Sequence, residues 1–200
     1  TQARMTSTRL PGKILMRAGE CTLLETHLDR LADVGVPVIV ATTTNLSDGP
    51  VVELCAALDV PVFRGSENDV LERYQRAARA HEARHVIRVT SDCPLICPDV
   101  IRAGLDIYLG LKSESVYLSN GEKRTYPRGM DFEIFSRRSL NFAAENARLP
   151  SEREHVTGYI RTSMPDIRHE HCTDEEYLSD WRITVDTGDG SLAAVAAGIN

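Results

Sequence analysis

The first thirteen residues of the chain contain three cationic side chains, Arg4, Arg9 and Lys13, together with several hydroxyl residues and a Pro-Gly bend at 11–12. They show no hydrophobic period, which is typical of a loop. A loop that presents backbone N–H groups and fixed positive charge suits an anion with several oxygens, such as a nucleoside triphosphate. The spacing of a Walker A loop is missing. The alternative is a solvated basic loop, and the other candidate residues decide between the two.

Acidic residues stand at the ends of predicted strands. Asp92 and Asp186 each follow a strand directly, and Asp131 and Glu133 lie on one face of a strand because they are two residues apart. Ligands of α/β sheets gather beyond the carboxyl ends of the strands. Carboxylates at that place can hold Mg²⁺ while cations hold phosphates. Each Asp, taken singly, can equally be a helix cap or a turn residue, so both roles stay open.

Composition limits the class of protein. The 200 residues are 42% hydrophobic and 26% charged, which is typical of one globular domain. A net charge of −6 argues against nucleic acid as the main partner. No apolar run has the length of a membrane span and no signal peptide is visible, so we expect no membrane partner and a cytoplasmic location. The five cysteines lack zinc-type spacing, which predicts free thiols in a reducing compartment.

Strand-like and helix-like segments alternate along the chain, which predicts an α/β fold with a mainly parallel sheet. Thr22 and Glu25 form a capping box, and Gly35 stands where a C-terminal glycine cap belongs. The predicted strands are 36–42, 60–63, 85–90, 115–118, 130–135 and 181–185, and the predicted helices begin near 22, 48, 69, 98, 137 and 154. We predict a single domain over 1–200. A strand normally precedes such a loop, so we expect a short hydrophobic strand before Thr1.

Several segments match one known family in order over nearly the whole chain. They are 2–4 with 10–13, 62–66 with 69–74, 90–96, 124–131, 152–160 and 185–187. With these segments the chain resembles the spore-coat-polysaccharide type of cytidylyltransferase, which is related to the CMP-sialic acid and CMP-Kdo synthetases. The resemblance implies a nucleotidyltransferase fold of the glycosyltransferase-A kind, with a twisted sheet covered by helices on both faces. It also implies CTP as substrate and Mg²⁺ as cofactor.

The resemblance implies roles for individual residues. Arg4, Lys13 and Asp92 are the implied catalytic residues, and Asp92 and Asp186 the implied metal ligands. The implied nucleotide-binding residues are Gln2, Ala3, Arg4, Ser7, Arg9, Lys13, Arg64, Ser66, Thr90 and Asp92. Thr90 stands where related synthetases have a base-contacting Gln. The family's Pro-Glu-Asp after Asp-Thr is replaced by a Gly-Asp-Gly run at 188–190.

The second substrate, which accepts the nucleotide, is predicted to bind to the second half of the chain. The candidate acceptor-binding residues are Arg124, Asp131, Glu133 and His155. An Arg fork suits a carboxylate or phosphate, which favours an acidic sugar of the nonulosonic-acid type or a related surface-polysaccharide precursor. His155 can equally be a core histidine.

Three alternatives stay open: a glycosyltransferase, for which the 131–133 run is an imperfect Asp-x-Asp motif; a nucleotidyltransferase for another NTP; and a binding protein with decayed catalysis. A homodimer is one expected assembly.

Overall fold

Helices and strands alternate along residues 1–7 and 10–185, the part of the chain that the structure, a computed structural model, describes. The helices are α1 (Leu23–Ala32), α2 (Gly49–Ala57), α3 (Val70–Ala80), α4 (Pro98–Gly110), α5 (Arg137–Asn146), α6 (Pro150–Glu154) and α7 (Gly158–Thr162). The strands are β1 (Arg17–Ala18), β2 (Cys21–Thr22), β3 (Val40–Thr43), β4 (Val62–Gly65), β5 (His85–Arg88), β6 (Val116–Ser119), β7 (Glu133–Ser136) and β8 (Arg168–His171). The predicted α/β class is confirmed.

The strands form one small hairpin, β1–β2, and two larger pairing groups. Strands β3 and β4 are parallel, and a second sheet has the order β5-β7-β6-β8. Gln2 pairs in parallel with both Ala41 and Thr90, so the N-terminal segment lies between the two groups. In these two groups β7 alone runs antiparallel to its neighbours. The predicted mainly parallel sheet is therefore confirmed. Because β7 is antiparallel, its first residue lies at the edge formed by the carboxyl ends of the parallel strands.

Apolar side chains cover both faces of the four-stranded sheet. Leu118 and Ile134 face a core to which α4 contributes Ile101, while Tyr117 and Phe135 face the opposite core under α3 and α5. Successive strand residues point to opposite faces, so two buried faces need the nearly continuous apolar runs seen here. Helices on both faces, as the family resemblance implies, are confirmed.

Local signals explain where the first helix begins and ends. The Thr22 hydroxyl accepts a hydrogen bond from the Glu25 N–H at 3.1 Å, and the Glu25 carboxylate accepts one from the Thr22 N–H at 2.5 Å. This predicted capping box satisfies two helix N–H groups that have no partner inside the helix. Gly35 has a φ of +81°, a conformation that glycine adopts without strain.

In the second half two sequence predictions were wrong and one strand was missed. The predicted helix 154–162 begins at Glu154, where α6 ends, and only its second part is a helix, α7. Val156 takes a left-handed conformation with a φ of +58° between α6 and α7. The predicted strand 181–185 is only a single bridge between Arg128 and Arg182. Strand β8 was not predicted, because its Arg-His-Glu-His sequence has no apolar alternation.

Gly104 in α4 permits a close approach of Phe132. A Cβ at position 104 would lie 2.3 Å from Phe132 Cζ, and the ring is buried. We expect Gly104→Ala to lower the free energy of unfolding by about 1–3 kcal/mol, as overpacking does, in urea denaturation. Gly110→Ala in the same helix is the matched control, since nothing lies within 4 Å of its Cβ. Equal losses in both variants would contradict the packing explanation.

Candidate active site

Asp48 anchors the base of the N-terminal loop. Its fully buried carboxylate accepts hydrogen bonds from the Met5 N–H at 2.7 Å and the Thr43 N–H at 3.2 Å. At the other end of the loop the Gly12 N–H donates to the Met5 carbonyl at 2.9 Å, with Gly12 at a φ of +71°. The loop therefore starts and ends at one point, directly beyond the carboxyl end of β3.

Lys13 and Asp92 form the centre of the site. The Lys13 Nζ lies 3.2 Å from Asp92 Oδ2 and donates to the Val185 carbonyl at 2.8 Å. The Lys13 side chain is 10% exposed and that of Asp92 is 29% exposed. The Val185 N–H also donates to the Asp92 carbonyl at 3.0 Å. Two predicted catalytic residues from distant parts of the sequence are thus brought into contact.

The Asp92 carboxyl is held in its charged form. Burial by itself would raise its pKa, but the Lys13 ammonium and hydrogen bonds from Thr90 and Lys13 outweigh burial and lower the pKa below its usual value. An opposite charge and donated hydrogen bonds both favour a carboxylate. Asp92 therefore offers a hard anionic oxygen at neutral pH.

Cys93, next in sequence, is not a nucleophile of this site. Its thiol is buried, 3.7 Å from Asp92 Oδ1 and 3.6 Å from the Thr90 hydroxyl. Burial and the Asp92 charge raise the pKa of the thiol strongly. A protonated thiol donates to the carboxylate and does not attack, since the thiolate is the nucleophilic form.

Arg4 follows the buried Ala3 on the same loop as Lys13 and is half-buried. Among the described residues its guanidinium makes no ion pair within 4 Å, unlike the Lys13 ammonium. The Ser7 hydroxyl accepts from the Leu10 N–H at 3.4 Å inside the loop. Arg9 and Asp186 lie outside the described residues, so their predicted roles stay predictions.

Arg64 and Ser66, predicted to bind the nucleotide, are engaged with the backbone. The Arg64 guanidinium donates to the carbonyls of Thr43 and Asn45, both at 2.9 Å. The Ser66 hydroxyl accepts from the Asp69 N–H at 3.0 Å at the start of α3. In the structure both side chains shape the loops that border the site.

Glu67 is a loop residue that the sequence analysis missed. Its carboxylate accepts hydrogen bonds from the Thr6 hydroxyl at 2.5 Å and the Asn45 amide at 2.6 Å. It therefore joins the N-terminal loop to the loops after β3 and β4. A glutamate just after a strand and before a helix cap is the one signal in the sequence that could have indicated it.

Glu133 is the centre of a nearly buried polar network. Its carboxylate pairs with Arg88 and accepts hydrogen bonds from the Tyr117 hydroxyl at 2.6 Å and the Thr157 hydroxyl at 2.8 Å. The Arg88 and Glu133 side chains are 15% and 13% exposed. Arg88 also approaches Gln2 Oε1 at 3.4 Å, which links this network to the N-terminal segment.

The other predicted acceptor residues occupy different positions. Arg124 pairs with Asp131, whose carboxylate also accepts from the Gly129 N–H at 2.9 Å. His155 is exposed at the end of α6, so it is not a core histidine. Among the described residues its side chain makes no hydrogen bond or ion pair with the other three.

A second group, missed by the sequence analysis, lies on β8 and in the loop after β6. Glu122 is 2.9 Å from His169 Nδ1 and 3.9 Å from both His171 Nδ1 and Arg161 Nε. The signal available in the sequence was the pair His169 and His171, two residues apart. Because strand β8 was not predicted, the sequence could not show that the two imidazoles lie on one face of a strand beside Glu122.

The Glu133 network allows a stability test. Glu133→Gln leaves the Arg88 guanidinium nearly buried without a counter-charge, so we expect a loss of about 3 kcal/mol in the free energy of unfolding. Urea denaturation measures it, with the exposed Glu114→Gln as control. Unchanged stability would show that Glu133 does not hold the sheet together, and would leave acceptor binding as its role.

The comparisons with known proteins identify the family of the chain. The sequence model described as "Cytidylyltransferase" matches residues 1–179. The chain belongs to the cytidylyltransferase family. A solved cytidylyltransferase from Leptospira borgpetersenii is similar to it, with a TM-score of 0.87 and 37% identity, covering 93% of this chain and 79% of that one.

Two curated relatives carry functional names. This cytidylyltransferase is 28% identical to the spore coat polysaccharide biosynthesis protein SpsF of Bacillus subtilis, over 93% of this chain and 79% of that protein. It is 30% identical to 3-deoxy-manno-octulosonate cytidylyltransferase of Agrobacterium fabrum, over 62% of this chain and 53% of that protein. The family resemblance seen in the sequence is confirmed, and this cytidylyltransferase is a CTP-using nucleotidyltransferase. No helix within its described residues has the length and apolarity to cross a bilayer.

Proposed function

We propose that this cytidylyltransferase transfers CMP from CTP to an acidic sugar acceptor of the nonulosonic-acid type, or to a related surface-polysaccharide precursor, and releases pyrophosphate. The observation that carries the proposal is the contact of Lys13 with Asp92 at the carboxyl edge of the sheet. The Lys13 ammonium and the Asp92 carboxylate meet there, beside the N-terminal loop. Arg4 lies on the same loop and has no ion-pair partner among the described residues.

Lys13 and Arg4 are the groups suited to the triphosphate. The acceptor oxygen attacks the α-phosphorus, the bond to the bridging oxygen breaks, and negative charge develops on the departing pyrophosphate. Fixed cations at that place stabilise the transition state without having to reorganise. Because Asp48 holds the loop base, both cations are positioned before the substrate arrives.

Asp92 suits a divalent cation such as Mg²⁺. Its ionised oxygen is the hard donor that Mg²⁺ prefers, and its side chain is partly exposed. Among residues 1–7 and 10–185 no three His, Cys, Asp or Glu form a metal cluster. A site with few protein ligands fits a cation that keeps waters and binds substrate phosphates. Asp92, with Asp186 as the proposed second ligand, would hold it, and the bound cation would neutralise phosphate charge.

The acceptor is proposed to lie along the polar edge from Arg124 to His171. Arg124, Arg161 and two imidazoles stand there around the carboxylates of Asp131 and Glu122. Guanidinium groups bind a sugar carboxylate through paired hydrogen bonds. The relative's name, 3-deoxy-manno-octulosonate cytidylyltransferase, gives an acidic sugar as that protein's acceptor and supports the same class here.

Pyrophosphate release tests the proposal. CTP, UTP, ATP and GTP are each incubated with Mg²⁺ and with a panel of 3-deoxy-2-keto acid sugars, nonulosonic acids and neutral sugars. We expect release only with CTP and an acidic sugar, and mass spectrometry should find the CMP-sugar. Release with CTP and a neutral sugar alone would overturn the acceptor class, and release with another NTP alone would overturn the nucleotide.

A further inference from the structure

An arginine-lined groove runs along α5 on the side of the molecule away from the proposed active site. It consists of two adjoining cavities of about 400 and 410 Å³ that share Arg137, Asn141 and Glu145. Strand β7 begins at the active-site edge and ends just before Arg137, so the groove lies at the opposite edge of the sheet. Its position excludes a part in nucleotide binding at the Lys13–Asp92 centre.

The groove carries strong positive charge. It is lined by five arginines, Arg76, Arg79, Arg84, Arg137 and Arg138. Only Arg76 has an ion pair within the described residues, with Glu72 at 3.6 Å. The other four guanidinium groups make no ion pair or side-chain hydrogen bond with a described residue. In a chain of net charge −6 such a concentration of unpaired arginines favours an anionic partner.

The composition of the groove favours a peptide over a dense polyanion. Glu114 and Glu145 interrupt the arginines, so the groove lacks the uniformly cationic lining that suits a nucleic acid or a polyphosphate. The amides of Gln75 and Asn141 can donate and accept hydrogen bonds, as an extended peptide backbone requires. The groove is open, and guanidinium planes also stack on aromatic rings.

The chain itself has a segment of matching chemistry at the other edge. Residues 174–181 read Asp-Glu-Glu-Tyr-Leu-Ser-Asp-Trp, with Tyr177 79% and Trp181 67% exposed. The segment is held in place because Thr125 accepts from the Asp174 N–H at 2.8 Å and from the Leu178 N–H at 2.7 Å. Glu175 and Glu176 are exposed and make no ion pair with a described residue.

We propose that the arginine groove of one copy docks the acidic segment 174–181 of a second copy. The four carboxylates of the segment are opposite in charge to the unpaired arginines, and Tyr177 and Trp181 supply the aromatic anchors that are enriched at interface hot spots. The segment follows the end of β8 while the groove lies at the other end of the sheet, so the contact joins different molecules. It is a head-to-tail interface, which forms rings or open chains.

Sedimentation velocity tests the interface with two neutralised variants. Arg137→Gln/Arg138→Gln weakens the groove, and Glu175→Gln/Glu176→Gln weakens the segment. We expect wild type to self-associate at low salt and to dissociate as salt screens the charges. Each variant alone should associate at least about tenfold more weakly. An equimolar mixture should form a 1:1 dimer and no larger species, since only one wild-type groove can meet one wild-type segment.

A peptide of residues 173–181 gives a second measurement that does not depend on assembly. We expect it to bind wild type and to bind the groove variant at least about tenfold more weakly, in fluorescence anisotropy. Circular dichroism confirms that both variants are folded. Monomeric wild type at every salt concentration, or equal association of all variants, would overturn the proposal. Equal binding of a scrambled acidic peptide would also overturn it and indicate another acidic protein as occupant.

Discussion

Replacing Lys13 with alanine should lower CTP-dependent pyrophosphate release by about 10²–10³-fold, which corresponds to about 3–4 kcal/mol of transition-state stabilisation. Its ammonium is the cation in direct contact with Asp92. The interaction with pyrophosphate strengthens as the bond breaks, so kcat should fall more than KM rises. Steady-state kinetics at saturating CTP measures the loss.

Two controls separate chemistry from folding. Lys112→Ala removes an exposed lysine of the α4–β6 connection and should leave the rate unchanged. Circular dichroism of Lys13→Ala checks the fold, because Lys13 also donates to the Val185 carbonyl. Without the ammonium the Asp92 pKa should rise, so the acid limb of any remaining activity moves to higher pH. A folded variant within a few-fold of wild type would refute the assigned role.

Asp92→Asn should raise the Mg²⁺ concentration needed for half-maximal activity steeply and lower the maximal rate. The change replaces an ionised oxygen ligand with a neutral amide, which Mg²⁺ binds poorly. Asp186→Asn should act in the same direction if it is the second ligand. Titration of activity with Mg²⁺ at saturating CTP measures both effects.

Asp99→Asn is the matched control for the metal titration. Asp99 is in the first turn of α4, where its exposed carboxylate pairs with Arg102. Its replacement should leave the Mg²⁺ dependence unchanged. If Asp92→Asn behaves like this control while keeping its fold, Asp92 is a turn residue and the carboxylate serves only to pair with Lys13.

Local features of the fold were predictable because they depend on nearby residues. The capping box of Thr22 and Glu25 and the left-handed Gly35 each need only a few positions of sequence. The orientation of β7 was not predictable, since it depends on pairing with strands far away in the chain. The break at Val156 was missed for a related reason: tertiary packing holds a β-branched residue in a conformation it disfavours on its own.

The site was predictable to a similar extent. The sequence named Lys13 and Asp92 separately, and the structure places them in contact. The sequence did not indicate that Arg64 donates hydrogen bonds to two backbone carbonyls, or that the Glu133 carboxylate contacts three side chains. Such contacts depend on which strands are neighbours. His169 and His171 were overlooked because a polar edge strand has no apolar alternation.

The insertion of β7 between β5 and β6 has a consequence for synthesis on the ribosome. Strand β5 is complete at Arg88, but its partner on that side begins only at Glu133. At about 5–20 residues per second the unpaired edge of β5 stays open for roughly two to nine seconds. An open strand edge is a template for pairing with other chains. Nascent chains that stop before Glu133 should therefore aggregate, whereas chains that extend past Ser136 can close the sheet.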